Sequence, residues 1–168
     1  TILREPVDRF ISHVRWACAA EGAAKKYGAA CESVAAFVEF SLRRRSIRFY
    51  GLDNHQTRIL SGDASKNRHG EMCDVKSDCR PAPPWTIQGH HLRNAIYNLV
   101  FNTPVWGHLE EVDKFASRFH RVYGYGADFP KEKHNPARGS MGTNVSDEDL
   151  KLIKQVLAAD IKLYEFST

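Results

Sequence analysis

TILREPVDRFISHVRW, residues 1–16, predicts a short buried strand that leads directly into a helix. Residues 1–3 are typical of a strand end. Pro6 suits the first turn of a helix, because the N–H that proline lacks has no partner there in any case. Apolar residues then recur at helical spacing, namely Phe10, Ile11, Val14 and Ala17 or Cys18.

The remaining apolar pattern alternates helices with short strands. Helices are predicted over about 31–42, from Leu92 to Val100 (Leu92, Ala95, Ile96, Leu99, Val100), over Leu109, Val112, Phe115, Ala116 and Phe119, and after Ser146 with a core stripe of Leu150, Ile153, Leu157, Ile161 and Tyr164. TPVWG, residues 103–107, is a short apolar run typical of a buried strand. This order predicts an α/β domain with helices around a small, mostly parallel sheet.

Length and charge restrict the class of protein. The 168 residues are 42% hydrophobic, which is enough for a single domain over residues 1–168, with a long surface loop at residues 61–90. The formal net charge of +4 suits an anionic ligand. No motif of a common nucleic-acid module occurs, so no nucleic-acid partner is expected. No apolar run approaches the roughly 20 residues of a membrane span. Because the chain starts at Thr1 in mid-strand, we expect it to be part of a longer protein.

The four cysteines leave their pairing open. Cys73 and Cys79 bracket a polar segment, and either a local disulfide or two free thiols fits them. Their spacing matches no common zinc motif, and no metal is expected. Cys18 and Cys31 lie among alanines and could be simply buried. Asn144 begins a glycosylation sequon, which matters only in a secretory protein.

Arg4 and Ser12 are candidates for binding an anion. An arginine at the carboxyl end of a buried strand lies where open α/β sheets bind ligands, and its planar fork can hold a phosphate through two parallel hydrogen bonds. Ser12, about two turns into the helix, could donate a hydroxyl to the same anion. The alternative is that Arg4 pairs with Asp8 and that Ser12 faces solvent.

Five segments, in order, resemble the Golgi carbohydrate sulfotransferases. TILREPVDRFISHVRW is similar to their 3′-phosphate-binding segment, in which Arg4 and Ser12 match the positions that contact the 3′-phosphate of 3′-phosphoadenosine 5′-phosphosulfate (PAPS). The other four segments resemble the heparan sulfate 6-O-/2-O-sulfotransferase-like branch: NHQTRILSG (54–62), HLRNAIYNLVFNTPVWGHLEEVDKF (91–115, with the characteristic Gly107 and Glu110), HNPARG (134–139) and DEDLKLIKQVLAADIKLYEFS (147–167).

The resemblance implies a partial P-loop-NTPase-like sulfotransferase domain. Its members move a sulfonyl group from PAPS to a hydroxyl of a polysaccharide or glycosaminoglycan-like sugar, without a metal. A general base takes the hydroxyl proton, while cations and N–H donors stabilise the leaving phosphate. The resemblance also implies a Golgi lumenal, type II membrane parent protein whose anchor lies outside residues 1–168.

The chain departs from the family pattern at the other half of the cofactor site. No Gly-x-x-x-x-Gly-Lys-Ser/Thr loop occurs here, and the family's 5′-phosphosulfate loop and catalytic base would both precede Thr1. We therefore expect the catalytic residues upstream and the fragment alone to be inactive. His13 is expected to be structural rather than the base.

Further residues are weaker candidates. Arg138, Gly139 and Ser140 could form a second phosphate clamp, or a solvated loop. Gln56, Thr57 and Arg58 could line the acceptor cleft. Alternatively, Thr57 and Arg58 open a helix that Ile59 and Leu60 pack down. Trp85 could stack on a sugar ring, and Glu110 is expected to stabilise a strand-to-helix turn.

Two other functions remain open. One is a non-catalytic α/β domain that binds acidic glycan or a nucleotide through the same basic loops. The other is an unrelated α/β domain in which Arg4 and Ser12 are structural.

Overall fold

The computed structural model describes residues 1–19, 28–44, 54–62, 87, 89–124 and 145–168. The elements are β1 (Ile2–Leu3), α1 (Pro6–Ala19), α2 (Val34–Arg44), α3 (His55–Ser61), α4 (Gly89–Tyr97), β2 (Gly107–His108), α5 (Val112–Tyr123), α6 (Asp147–Val156) and α7 (Ala158–Ser167). This part of the chain is mostly helical and holds a two-stranded parallel sheet, which is compatible with the expected α/β class.

The two strands are parallel and pair Ile2 with Gly107 and Leu3 with His108. The N–H of Gly107 donates to the Thr1 carbonyl oxygen at 3.2 Å. The strand expected over residues 103–107 is wrong in its bounds, because only Gly107 belongs to β2. Pro104 has no N–H for a ladder, and β1 offers only two residues for pairing.

One apolar core joins α1, α2 and α6. Its buried residues are Phe10, Val14, Ala17, Val34, Phe37, Val38, Ile153 and Leu157. Spacings of three and four residues, as from Phe10 to Val14 and on to Ala17 and from Val34 to Phe37 and Val38, place these side chains on one face of their helix, so they pack against one another. The second predicted helix begins at Val34 rather than at 31, because Gly28–Cys31 forms a 3₁₀ turn. The hydroxyl oxygen of Ser33 accepts the Ala36 N–H at 3.0 Å and caps the helix start.

A second apolar core lies beside the sheet. Its fully buried residues are Leu3, Ala95, Leu99 and Leu163. Val100, expected on the same stripe, is 45% exposed. The reason is that α4 passes into a π-helical turn over Asn98–Asn102, where the wider winding rotates the following residues away from the α-helical stripe. Leu109 likewise lies before α5, in a 3₁₀ turn, and is exposed.

A disulfide joins Cys18 at the end of α1 to Cys31 before α2, with the two Cα atoms 5.6 Å apart. The expectation that these two cysteines are simply buried is therefore wrong. Alanine-rich flanks do not distinguish a buried thiol from a disulfide, since the pairing depends on how α1 and α2 meet. Cys73 and Cys79 lie outside the described residues, so their predicted pairing stays a prediction.

The C-terminal helix starts after Ser146, as predicted, but it is two helices rather than one. Ser146 and Asp149 form a capping box at the start of α6. Asn54 then interrupts the helix: its side-chain N–H donates to the Val156 carbonyl oxygen at 2.7 Å, while its Oδ1 accepts the N–H groups of Ala159 at 2.8 Å and Asp160 at 3.0 Å. A side chain that takes over these main-chain partners separates α6 from α7. No helix in the described ranges is both long and apolar enough to cross a membrane.

Candidate functional site

Arg4 directly follows β1, and the side chain of Gln56 anchors its main chain. The Arg4 N–H donates to Gln56 Oε1 at 2.8 Å, and Gln56 Nε2 donates to the Arg4 carbonyl oxygen at 3.0 Å. Gln56 therefore satisfies both main-chain groups of the residue at which the strand ends. The position of Arg4 depends on α3, which carries Gln56.

The Arg4 guanidinium is half-buried and makes no hydrogen bond or ion pair with any described residue. The proposed alternative, an ion pair with Asp8, is not formed. The Glu5 carboxylate instead accepts the Asp8 N–H at 2.6 Å, and Asp8 itself is exposed. Within the described part of the chain, the arginine side chain remains available to a ligand.

Glu110 lies in the turn between β2 and α5, and its carboxylate accepts hydrogen bonds from outside that turn, so its expected role in stabilising the turn stays a prediction. Its Oε1 accepts the Glu5 N–H at 3.2 Å, and its Oε2 accepts the Tyr164 hydroxyl at 3.2 Å. Partial burial favours the neutral acid, but hydrogen bonds from the Glu110 and Glu5 N–H groups and from Tyr164 outweigh it and lower the pKa of Glu110. The carboxylate thus connects the start of α1 to α7.

Ser12 is half-buried on α1. It lies two residues from both Phe10 and Val14, which is about 200° around a helix of 3.6 residues per turn, so it faces away from the core. Its hydroxyl makes no hydrogen bond with the described residues. Arg4 and Ser12 therefore lie on consecutive elements, and neither polar group is used internally by the described part of the fold.

Asp160, at the start of α7, is fully buried and binds the start of α3. Its Oδ1 accepts the Thr57 N–H at 2.7 Å, and its Oδ2 accepts the Gln56 N–H at 3.2 Å. Oδ2 also lies 3.6 Å from Arg9 Nη2 on α1. A single sequence offers little sign of such a role, since an aspartate in the first turn of a helix is usually solvated.

Gln56, Thr57 and Arg58, predicted at the acceptor cleft, are all buried at the start of α3. Thr57 is 0% and Arg58 is 1% exposed, so neither side chain reaches a solvent-borne acceptor in this conformation. Ile59, expected to pack down, is 52% exposed, whereas Leu60 packs beside the second core. The buried face of α3 is thus the polar one. Its Gln56 side chain binds the Arg4 main chain, and the N–H groups of Gln56 and Thr57 donate to Asp160.

His13 is on α1 and is largely buried. Burial, followed by the nearby charges of Arg9 and His55, lowers the pKa of His13 from 6.5 to about 4. Its imidazole is therefore neutral at pH 7. A neutral imidazole is compatible with a structural residue and with a base, so the structural role expected for His13 stays a prediction.

Several predicted site residues lie outside the described residues. They are Arg138, Gly139 and Ser140 of the second clamp, Trp85, the sequon residue Asn144, Cys73 and Cys79, and most of the loop at 61–90. Among the residues that are described, no three His, Cys, Asp or Glu side chains converge on a point that could hold a metal ion.

The chain was compared with protein-family models, with curated proteins and with solved structures. No family model matches it, and no curated protein or solved structure is significantly similar to it.

Proposed function

We propose that the protein is a PAPS-dependent sulfotransferase that moves a sulfonyl group to a hydroxyl of a polysaccharide or glycosaminoglycan-like sugar. The observation that carries the proposal is Arg4. Its main chain is hydrogen-bonded on both sides by Gln56, and its guanidinium is uncommitted among the described residues. A cation held in this way at the carboxyl end of a parallel strand is suited to an anionic ligand.

The ordered resemblance of five segments supplies the identity of the anion. In the sulfotransferase pattern, Arg4 and Ser12 hold the 3′-phosphate, and Arg138, Gly139 and Ser140 form a second clamp. The two-stranded parallel sheet is compatible with a P-loop-NTPase-like domain, which is part of the proposal.

The carboxylates next to Arg4 bind other groups of the protein rather than the Arg4 guanidinium. Glu5 accepts the Asp8 N–H, and Glu110 accepts the Glu5 N–H and the Tyr164 hydroxyl. These neutral donors leave the carboxylates negative, but neither carboxylate forms an ion pair with the Arg4 guanidinium among the described residues, so the guanidinium stays open to a ligand. The uncommitted Ser12 hydroxyl adds a neutral donor that suits a phosphate oxygen.

The chemistry divides between this chain and the chain before it. Arg4 and Ser12 bind and orient the 3′-phosphate, while the general base and the 5′-phosphosulfate loop belong to a segment upstream of Thr1. The fragment on its own is then inactive. A Golgi lumenal location, with an anchor outside these residues, follows from the same resemblance.

Calorimetry with 3′-phosphoadenosine 5′-phosphate tests the phosphate site on the protein that includes the segment upstream of Thr1, because the proposal places the other half of the nucleotide site there. Replacing Arg4 by alanine should weaken binding by about 10- to 100-fold, because a hydrogen bond to a charged group contributes about 1.5–3 kcal/mol. Ser12→Ala should cost about 5-fold. Arg121→Ala is the matched control, since Arg121 is an exposed arginine at the end of α5. Unchanged affinity in Arg4→Ala, or no binding by the parent protein, would refute the proposed site.

A transfer assay separates an enzyme from a binding domain. The protein that includes the segment upstream of Thr1 is incubated with sulfur-labelled PAPS and a desulfated glycosaminoglycan. Label on the polysaccharide, lost in Arg4→Ala, supports the sulfotransferase. Nucleotide binding without any transfer would instead support the non-catalytic alternative.

A further inference from the structure

The carboxylate of Asp160 is fully buried in the interior. A buried charge is strongly destabilising unless it is paired and hydrogen-bonded. Here two main-chain N–H groups, those of Gln56 and Thr57, donate to its two oxygens at 3.2 and 2.7 Å. These are amides of the first turn of α3, which have no partner within the helix itself.

The first contact leads from Asp160 to Arg4. Oδ2 holds the main chain of Gln56, and the side chain of the same residue holds the Arg4 N–H and carbonyl oxygen. A single residue, Gln56, thus connects the buried carboxylate to the main chain at the end of β1. Displacing the start of α3 therefore displaces the Arg4 main chain.

The second contact leads from Asp160 to α1. Arg9 Nη2 lies 3.6 Å from Oδ2, and Ser12 follows Arg9 by three residues on the same helix. Burial lowers the pKa of Arg9, while the charge of Asp160 opposes that change and stabilises the cation. The carboxylate thus contacts both elements that position Arg4 and Ser12.

We infer that Asp160 is the positioning residue of the phosphate site: through Gln56 and Arg9 it sets the placement of the Arg4 main chain relative to Ser12. This inference rests on the proposed function. Asp160 does not touch the nucleotide. It acts by fixing the main-chain positions from which the Arg4 and Ser12 side chains extend.

Asp160→Asn is the variant that separates placement from packing. Asparagine has nearly the same shape as aspartate, but its NH₂ group must face one of the N–H groups that donate to the carboxylate. The negative charge that attracts Arg9 is also lost. Asp149→Asn is the matched control. Asp149 also caps a helix, α6, because its Oδ2 accepts the Ser146 N–H at 3.1 Å, and among the described residues it makes no hydrogen bond to Arg4, Gln56 or Asp160.

The readout is the part of the affinity that depends on the 3′-phosphate. Calorimetry gives the dissociation constants of adenosine 5′-phosphate and of 3′-phosphoadenosine 5′-phosphate, and their ratio isolates that phosphate. The ratio is the dissociation constant of adenosine 5′-phosphate divided by that of 3′-phosphoadenosine 5′-phosphate. We expect Asp160→Asn to lower it by about 10-fold, because a misplaced Arg4 makes weaker charge-assisted hydrogen bonds to the 3′-phosphate. Asp149→Asn should leave it within twofold of the parent protein. An unchanged ratio in folded Asp160→Asn overturns the inference.

Two further measurements keep the test decisive. If Asp160→Asn does not fold by circular dichroism, Gln56→Ala, which breaks the same connection nearer to Arg4, must lower the ratio instead. Hydrogen exchange of the Arg4 amide needs no ligand. Its protection should fall at least 10-fold in the Asp160 or Gln56 variant and not in Asp149→Asn. If the parent protein binds neither nucleotide, the proposed function fails, and the exchange result alone decides whether Asp160 positions Arg4.

Discussion

Gly107 on β2 lies against Phe115 on α5: a methyl group built on Gly107 would be 3.1 Å from the Phe115 Cβ and 3.3 Å from its Cδ2. Gly107 is buried, and its partner in the sheet is Ile2. The close approach of helix to strand therefore requires the absence of a side chain here. It is a physical reason for the glycine that the sulfotransferase resemblance singles out.

Gly107→Ala should destabilise the protein by about 1–3 kcal/mol, because the added methyl group forces α5 away from the sheet. Urea unfolding measures the change in the free energy of unfolding. Gly89→Ala is the control, since no atom lies within 4 Å of a Cβ at Gly89. If the two variants are equally stable, α5 can move away from the sheet with no loss in the free energy of unfolding.

Asn54→Ala should destabilise by about 3 kcal/mol, since three hydrogen bonds of about 1 kcal/mol each are lost and the main-chain groups between α6 and α7 stay buried. Asn102→Ala, which removes one bond to Asn98 on the surface, should cost less than about 1 kcal/mol. Thermal and urea unfolding compare the two. A small effect at Asn54 would show that water can replace its amide.

Replacing Cys18 and Cys31 by serine together should destabilise by about 3 kcal/mol, because the disulfide closes a loop of 13 residues and a loop of about that length restricts the unfolded chain by this amount. Reductant should lower the melting temperature of the parent chain more than that of the double variant, which keeps only Cys73 and Cys79. Peptide mapping without reduction identifies the pairs, including any between Cys73 and Cys79. A peptide that links Cys18 to another cysteine would contradict the structure.

The stability of the protein should fall as the pH drops from 7 to 5.5. The pKa of His13 is about 4 in the folded protein against 6.5 for an ordinary histidine, so over this range the unfolded chain binds the proton and the folded chain does not. The stabilisation is complete above pH 6.5 and is lost towards pH 4. Over the measured range the loss is about 1 kcal/mol, since one pKa unit corresponds to about 1.4 kcal/mol.

His13→Gln should remove this pH dependence, whereas His90→Gln, at an exposed position, should keep it. Urea unfolding at pH 7, 6.25 and 5.5 gives the comparison. If the parent chain and His13→Gln have the same pH profile, His13 is not the group that makes stability depend on pH.

The elements that could be predicted from the sequence are those with a local cause. Pro6 and the apolar spacing after it predicted α1, and Ser146 with the acidic residues after it predicted the start of α6. Helical spacing and capping act within a few residues, so they are visible in a single segment.

The errors arose where distant residues act on an element. The break before α7 depends on Asn54, about a hundred residues earlier in the chain, and the exposure of Val100 depends on a π-helical turn. The pairing of Cys18 with Cys31 depends on how two helices meet. None of these has a pattern within its own segment.

The candidate site divides in the same way. Residue chemistry and spacing, together with the family resemblance, predicted a phosphate site at Arg4 and Ser12, because an arginine at a strand end and a serine two turns into a helix are local features. That assignment stays a prediction. That Gln56 anchors Arg4, and that Asp160 holds the start of α3, required the fold. Hydrogen bonds between buried polar groups form only where packing excludes water, and in this protein that packing brings together residues more than fifty positions apart.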